Sequence, residues 1–136
     1  YTQHGSYDAH TNGIALQEGL LTDACGGIYD FYQDMKQANK GDAVLMFVFT
    51  EFGRRVRDNG NGTDHGSGGV AFMIGDAVEG GHYSEYPSLN PEDLIEGDLA
   101  FNLDFRSLYT EILEDWLEIE AKPVTKGTYE KVGFLK

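Results

Sequence analysis

A lone cysteine, Cys25, rules out an internal disulfide, and no histidine or second cysteine stands at zinc-finger spacing from it. The expected state of Cys25 is a buried, inert thiol. Long apolar runs are also missing. The longest, AVLMFVF at 43–49, falls well short of the ~18–20 residues that a membrane span needs. Basic residues are scarce, with 10 against 23 acidic ones in 136 residues and a formal net charge of −13. Such a surface repels polyanions, which excludes a general affinity for nucleic acid or anionic membrane, and it suits cations. No signal peptide opens the sequence at Tyr1, so any targeting segment is expected to have been removed or to lie outside it.

Glycine, by contrast, is abundant at 18 residues, and tyrosine reaches eight. The length suits one modest domain. The first segment, YTQHGSYDAHTNG, carries His4, Asp8 and His10 with no strand, helix or cap before them. Termini are poorly ordered unless tied down, so residues 1–136 read as a single region, the C-terminal part of a larger fold.

Further along, Leu16, Leu20, Leu21, Ala24, Ile28, Phe31, Tyr32 and Met35 fall at helical spacing. Gly26-Gly27 is a possible kink and Gly41 a stop signal. The β-rich run DAVLMFVFT then reads as a central strand covered on both faces, as in a parallel sheet, and GGVAFMIG at 68–75 as a second strand of it. Residues 76–104, rich in turn formers, read as an ordered surface excursion. Asp104 is placed to cap FRSLYTEILEDWLEI, whose Phe105, Leu108, Ile112, Leu113, Trp116 and Leu117 form a core stripe. Tyr129, Phe134 and Leu135 are expected to pack the tail.

Between the two apolar runs lies TEFGRRVRDNGNGTDHGSGG at 50–69. A glycine-rich loop costs conformational entropy to order, so one with this much charge is more often a site than a connector. The segments Glu51-Phe52-Gly53-Arg54, Gly62-Thr63-Asp64-His65-Gly66 and Asp104-Phe105-Arg106, with the opening SYDAHTNG, resemble the C-terminal region of exported bacterial proteins grouped as domain of unknown function 1501. The resemblance covers nearly the whole chain. It implies the α/β three-layer fold of the alkaline phosphatase and sulfatase superfamily, with a mainly parallel sheet. It also implies twin-arginine export to the periplasm or the exterior, and a nucleophile upstream of residue 1.

Enzymes of that superfamily hold one or two divalent metals against the nucleophile and bind a phosphate or sulfate ester between them. The resemblance therefore implies a Zn, Mn, Ca or Mg site built from Asp8, His10, Asp64, His65 and Glu51, with Arg54 for the anionic substrate. Asp8 and His10, at i and i+2, point the same way on an extended segment. Asp64 and His65 would face apart on a strand but can converge in a glycine-rich loop. Glu51 sits at the strand end, where open α/β sheets gather ligands. The spacing departs from the superfamily pattern in two ways, and two alignments stay open. In one, Asp64-His65 is the usual Asp-His pair, with His82 as the last ligand. In the other, Glu51-Phe52 stands in its place and His65 is the downstream ligand.

Each residue also has a plainer reading. Asp64 can form an Asx-turn with His65 solvated beside it, Asp8 and His10 can bond their own backbone, and Glu51 with Arg54 can be a bracing ion pair. Asp104 and Arg106 read as a cap and its brace. Arg54, Arg55 and Arg57 make the one local basic spot, suited to an anionic small molecule or polysaccharide ester. Two functions follow: a metal-dependent phosphate- or sulfate-ester hydrolase whose nucleophile is not among Ser6, Thr50, Thr63 or Ser67, or a non-catalytic extracellular binding or assembly protein with a degraded metal site. In the second, the partner is polysaccharide, another copy of the chain or the rest of its own domain.

Overall fold

A computed structural model describes residues 7–136. They fall into two compact units. One comprises the chain up to Asp76 together with Ser88–Ala100, and the other Ala77–Pro87 with Phe101–Lys136.

In the first unit a 25-residue helix, α1 (Gly13–Gln37), follows the polar opening segment. Its half-buried positions Gln17, Leu20, Ala24, Ile28, Tyr32 and Met35 form a stripe at intervals of three and four, while Leu16, Leu21 and Phe31 are exposed. Gly26-Gly27 does not divide it, because α-helical hydrogen bonding continues past two residues that cost propensity but remove no donor. The stop is also earlier than Gly41. Asn39 takes the left-handed conformation at φ 54°, and Gly41 instead begins a short 3₁₀ turn, Gly41–Ala43. Cys25 is exposed on α1, contrary to expectation, because it lies off the half-buried stripe.

Four short strands follow: β1 (Met46–Phe49), β2 (Gly53–Asp58), β3 (Thr63–Gly66) and β4 (Ala71–Ile74). β1 pairs with β4 antiparallel, Met46 opposite Ile74 and Phe49 opposite Ala71. β2 pairs with β3 antiparallel, Gly53 opposite Gly66 and Arg54 opposite His65, with an irregularity before Asp58 meets Thr63. The expected α/β three-layer fold of the alkaline phosphatase and sulfatase kind, with its mainly parallel sheet, is therefore not what this chain forms. A parallel pair needs a crossover of a dozen residues or more, usually helical. Here residues 50–70 are spent on the β2–β3 hairpin, which returns the chain beside β1 in the opposite direction. The apolar run that suggested a two-sided parallel strand is half-buried over Met46–Val48 and exposed at Phe49.

Glycine permits one close approach in this hairpin. A Cβ on Gly53 would lie 1.7 Å from the Gly68 carbonyl oxygen, so no side chain fits there without parting the backbones. At the far end, Asp98 accepts from Ser67 N at 3.0 Å and the Ser67 hydroxyl donates to Leu99 O at 2.8 Å, bracing β3.

The second unit begins its helix at Asp104, whose Oδ1 accepts from Arg106 N at 2.9 Å as the cap expected of it. Arg106 closes back on the same carboxylate through Nε at 2.9 Å and Nη2 at 2.6 Å, and holds it below the usual carboxylate range. The helix is shorter than the sequence suggests. α2 (Phe105–Glu111) gives way to a π-helical turn, Ile112–Trp116. The expected stripe is only partly covered, half-buried in its middle and open at both ends. Phe105 and Leu117 are exposed, Trp116 is half-buried, and Ser107, Thr110 and Glu111 are buried instead.

Glu111 and Phe134 are each 1 % exposed and together anchor the tail. The Glu111 carboxylate accepts from Gly133 N at 2.6 Å and from Leu135 N at 2.8 Å. The segment it holds pairs in turn with Ala77–Glu79, through Glu79 N to Phe134 O at 2.8 Å and Lys136 N to Ala77 O at 2.9 Å. Tyr129 lies under the Arg106 guanidinium at 4.4 Å, and α3 (Lys122–Thr125) completes the unit.

Replacing Glu111 with Ala leaves two amide donors without their acceptor. The expected loss is about 2–4 kcal/mol of unfolding free energy, and Glu111→Gln, which keeps one acceptor oxygen, should lose less than half of it. Urea titration of both variants checks this, and equal midpoints for Ala and wild type would contradict the clamp. Gly53→Ala should part the β2–β3 ladder and leave the second unit intact, which amide exchange reads separately for the two.

Candidate functional site: an Asp-His-His group

The loop between β2 and β3 is shaped by its own backbone. Gly60 adopts φ 101°, which L side chains avoid, and its N–H donates to Asp58 Oδ1 at 2.6 Å. Asn59 N donates to Gly62 O at 2.8 Å. A Cβ on Gly62 would lie 2.8 Å from the His10 carbonyl oxygen, so glycine lets the hairpin tip close on the opening segment. Asn12 N, at the start of α1, donates to Asn61 O at 3.1 Å, and the Tyr7 hydroxyl to Leu20 O at 2.9 Å. The segment Tyr7–Asn12 is thereby held between α1 and the hairpin.

That placement brings residues 46 and 57 positions away in sequence onto one Asp8 carboxylate oxygen. Asp8 Oδ1 faces His65 Nε2 at 2.8 Å, Arg54 Nη2 at 2.8 Å and His10 Nε2 at 3.0 Å. The His65 contact first, and the Arg54 contact with it, hold the Asp8 carboxyl below its usual value of 3.8. The two imidazoles stack at 4.9 Å between centroids, and Phe52 lies flat on the other side of His65 at 3.8 Å. The ligand atoms of Asp8, His10 and His65 all lie within 4.8 Å of one another.

Arg54 is the less accessible member. Its side chain is 23 % exposed against 43–47 % for Asp8, His10 and His65, so it sits beneath a group that an ion can reach from solvent. Its guanidinium also donates to Thr63 O at 2.8 Å and Tyr7 O at 3.3 Å. With these oxygens engaged, Arg54 acts first as a brace for Asp8.

Asp64 stands one step out. Its Oδ1 meets His10 Nδ1 at 3.2 Å and accepts from Asn59 Nδ2 at 3.0 Å, and that amide first, then His10, keeps its carboxyl below the usual range. Adjacent strand residues face apart, and Asp64 meets the Nδ1 edge of the His10 ring while His65 stacks on its face. Glu51 is exposed in the bend between β1 and β2 and stands outside the Asp8–His10–His65 group. Arg55 and Arg57 are exposed on β2, His82 faces Tyr86 in the other unit, and His4 and Ser6 lie outside the described residues. His65 is thus the residue shared by both alignments of the sequence, and Phe52 supports it. Asn59 escaped sequence reasoning. Its only signal is an Asn-Gly turn, which explains itself without any site.

The donor set fits a first-row transition ion better than Ca²⁺ or Mg²⁺, because imidazole nitrogen suits the former and the latter take oxygen. Tetrahedral ligands on bonds of about 2.1 Å stand about 3.4 Å apart. The ligand atoms of Asp8, His10 and His65, within 4.8 Å of one another, are already near that spacing. Three protein ligands leave a coordination position open, as catalytic rather than structural sites do.

Because Asp8 has a depressed pKa, the stability it contributes is present above its unfolded value and is lost as pH falls through the lower folded one. In metal-free protein the Asp8 carboxyl carbon should therefore titrate below 3.8. Asn59→Ala should move the Asp64 midpoint up toward the ordinary carboxylate value and leave that of Asp8 in place. Carbon-detected NMR across acid pH reads both, and an Asp8 midpoint at or above the ordinary value would contradict the shared-oxygen geometry.

The match to a known family spans this site and both units. No curated protein matches the chain, and no solved structure does. Among the described residues, no helix is long and apolar enough to cross a membrane. The family model described as "Protein of unknown function (DUF1501)" matches residues 2–127, and so includes Asp8, His10, Asn59, Asp64 and His65. The chain belongs to that family, DUF1501.

Proposed function

We propose that Asp8, His10 and His65 bind a divalent transition ion, of which Zn²⁺ or Mn²⁺ suits the donors best. On this reading the chain is part of a metal-dependent hydrolase of phosphate or sulfate esters, acting outside the cytoplasm. One observation carries the reading. Ligand atoms from the opening segment and from β3, distant in sequence, lie within 4.8 Å of one another and stay open to solvent. The kinship with alkaline phosphatases and sulfatases, and the export that goes with it, are parts of this proposal suggested by the sequence resemblance.

An ion held there supplies a Lewis acid for a phosphoryl or sulfuryl oxygen. The chain's own residues supply the rest. Arg54 fixes Asp8 in place and keeps it ionised, so the carboxylate is ready as a ligand at neutral pH. Phe52 and His10 pack the faces of His65 and limit its rotation. The Thr50 hydroxyl donates to Phe52 O at 2.8 Å and that of Ser67 to Leu99 O, so both are engaged with backbone carbonyls rather than aimed at the group. In this reading the nucleophile is the one that the resemblance places upstream of residue 1.

Zn²⁺ titration followed by elemental analysis should give one ion per chain. Asp8→Asn, His10→Ala and His65→Ala should each weaken binding by more than about 100-fold, beyond the 10–100-fold typical of an outer-shell change. Glu51→Gln should leave it within twofold. Aryl phosphate and aryl sulfate assays on the complete protein test the chemistry. A bound ion with no turnover on either ester would overturn the hydrolase and leave a metal-binding role.

A further inference from the structure

His10 has a carboxylate oxygen at each ring nitrogen, Asp64 Oδ1 at 3.2 Å from Nδ1 and Asp8 Oδ1 at 3.0 Å from Nε2. A neutral imidazole has one N–H. It can therefore satisfy one of the two carboxylates and must turn a lone pair to the other. The surroundings decide which. Asp8 Oδ1 already meets Arg54 and His65 at 2.8 Å each, so a further donor there finds the oxygen's two lone pairs engaged. Asp64 Oδ1 meets Asn59 Nδ2 at 3.0 Å besides His10, and Asn59 is itself locked. Its Oδ1 accepts from Asn61 N at 3.1 Å, which settles the amide orientation and turns Nδ2 toward Asp64 and the His10 carbonyl.

We propose that Asp64, oriented by Asn59, is a positioning residue that holds His10 with its proton on Nδ1 and so presents Nε2 to the metal. This rests on the metal-site reading above and assigns Asp64 a place behind the ion rather than on it. A ligating histidine generally donates its other ring N–H to an acceptor, which fixes both tautomer and ring direction and raises ligand basicity. Asp64 has the geometry for that task with respect to His10, and Asn59 performs the same task for Asp64. The role also accounts for the run Asn59-Gly60-Asn61-Gly62. The tight turn is what lets the Asn61 amide reach back to the Asn59 oxygen.

The test is long-range ¹H–¹⁵N correlation NMR on the chelator-treated protein, at a pH where the ring is neutral, followed by Zn²⁺ titration. Wild type should carry the His10 proton on Nδ1, and Zn²⁺ should move the Nε2 resonance. Asp64→Ala should lose the Nδ1-H preference and bind Zn²⁺ 10–100-fold more weakly, and Asp64→Glu should restore part of both. Asn59→Ala should shift the tautomer in the same direction by a smaller amount. The tautomer is read without metal, so it judges Asp64 even if wild type binds no ion, an outcome that would sink the metal reading alone. A proton on Nε2 in wild type, coordination through Nδ1, or an Asp64→Ala variant with unchanged tautomer and affinity would each overturn the positioning role.

Discussion

The first unit is organised around one oxygen atom. Asp8 Oδ1 gathers a guanidinium from β2, an imidazole from β3 and another from its own segment. On a chain of net charge −13 this is an unusual local balance, one carboxylate oxygen against three side-chain nitrogens. An isolated, half-exposed ion pair contributes little because solvent screens it and side-chain entropy opposes it. A shared acceptor differs in that each added donor finds the carboxylate already ordered. Remove that oxygen, and the opening segment keeps its ties to Leu20, Asn61, Asn59 and Asp64, but Arg54 and His65 lose the acceptor they share.

The glycines make the convergence possible. Gly53 lets the hairpin pass close to Gly68, and Gly62 lets its tip approach His10. Between these points the chain brings Arg54 and His65 opposite one another across the ladder, so that both turn toward Asp8. The site is therefore a product of the antiparallel pairing. A parallel sheet would have offered its ligands at strand ends, where Glu51 lies, and Glu51 stands apart from the group.

What the residues announced in advance divides along physical lines. α1 and the β1 and β4 segments were legible because periodicity and apolar runs report burial and local geometry directly. The i, i+2 spacing and the charged loop marked Asp8, His10 and His65 as candidates, but only the family resemblance set them in one site, since spacing does not say which distant residues meet. Strand direction was not legible, since an apolar run records how many faces are covered and nothing about which neighbour covers them. The π turn after Glu111 was equally hidden, because one inserted residue of helical register leaves no mark in composition. Nothing in the sequence marks Glu111, and only the arrival of Gly133 and Leu135 from the tail explains its burial. Asn59 was hidden for a related reason, its role being defined by partners that sequence spacing does not connect.

The twin Asn-Gly steps at the hairpin tip carry a chemical consequence of their own. Asparagine before glycine is prone to spontaneous deamidation, in which the following main-chain nitrogen attacks the side-chain carbonyl carbon and a cyclic imide forms, opening to aspartate or isoaspartate. At Asn59 both participants are restrained, the Gly60 nitrogen by Asp58 and the amide oxygen by the nitrogen of Asn61. The turn that shapes the loop therefore also slows its ageing. A molecule in which the step does occur would set a new negative charge against Asp64, turning an orienting contact into a repulsive one.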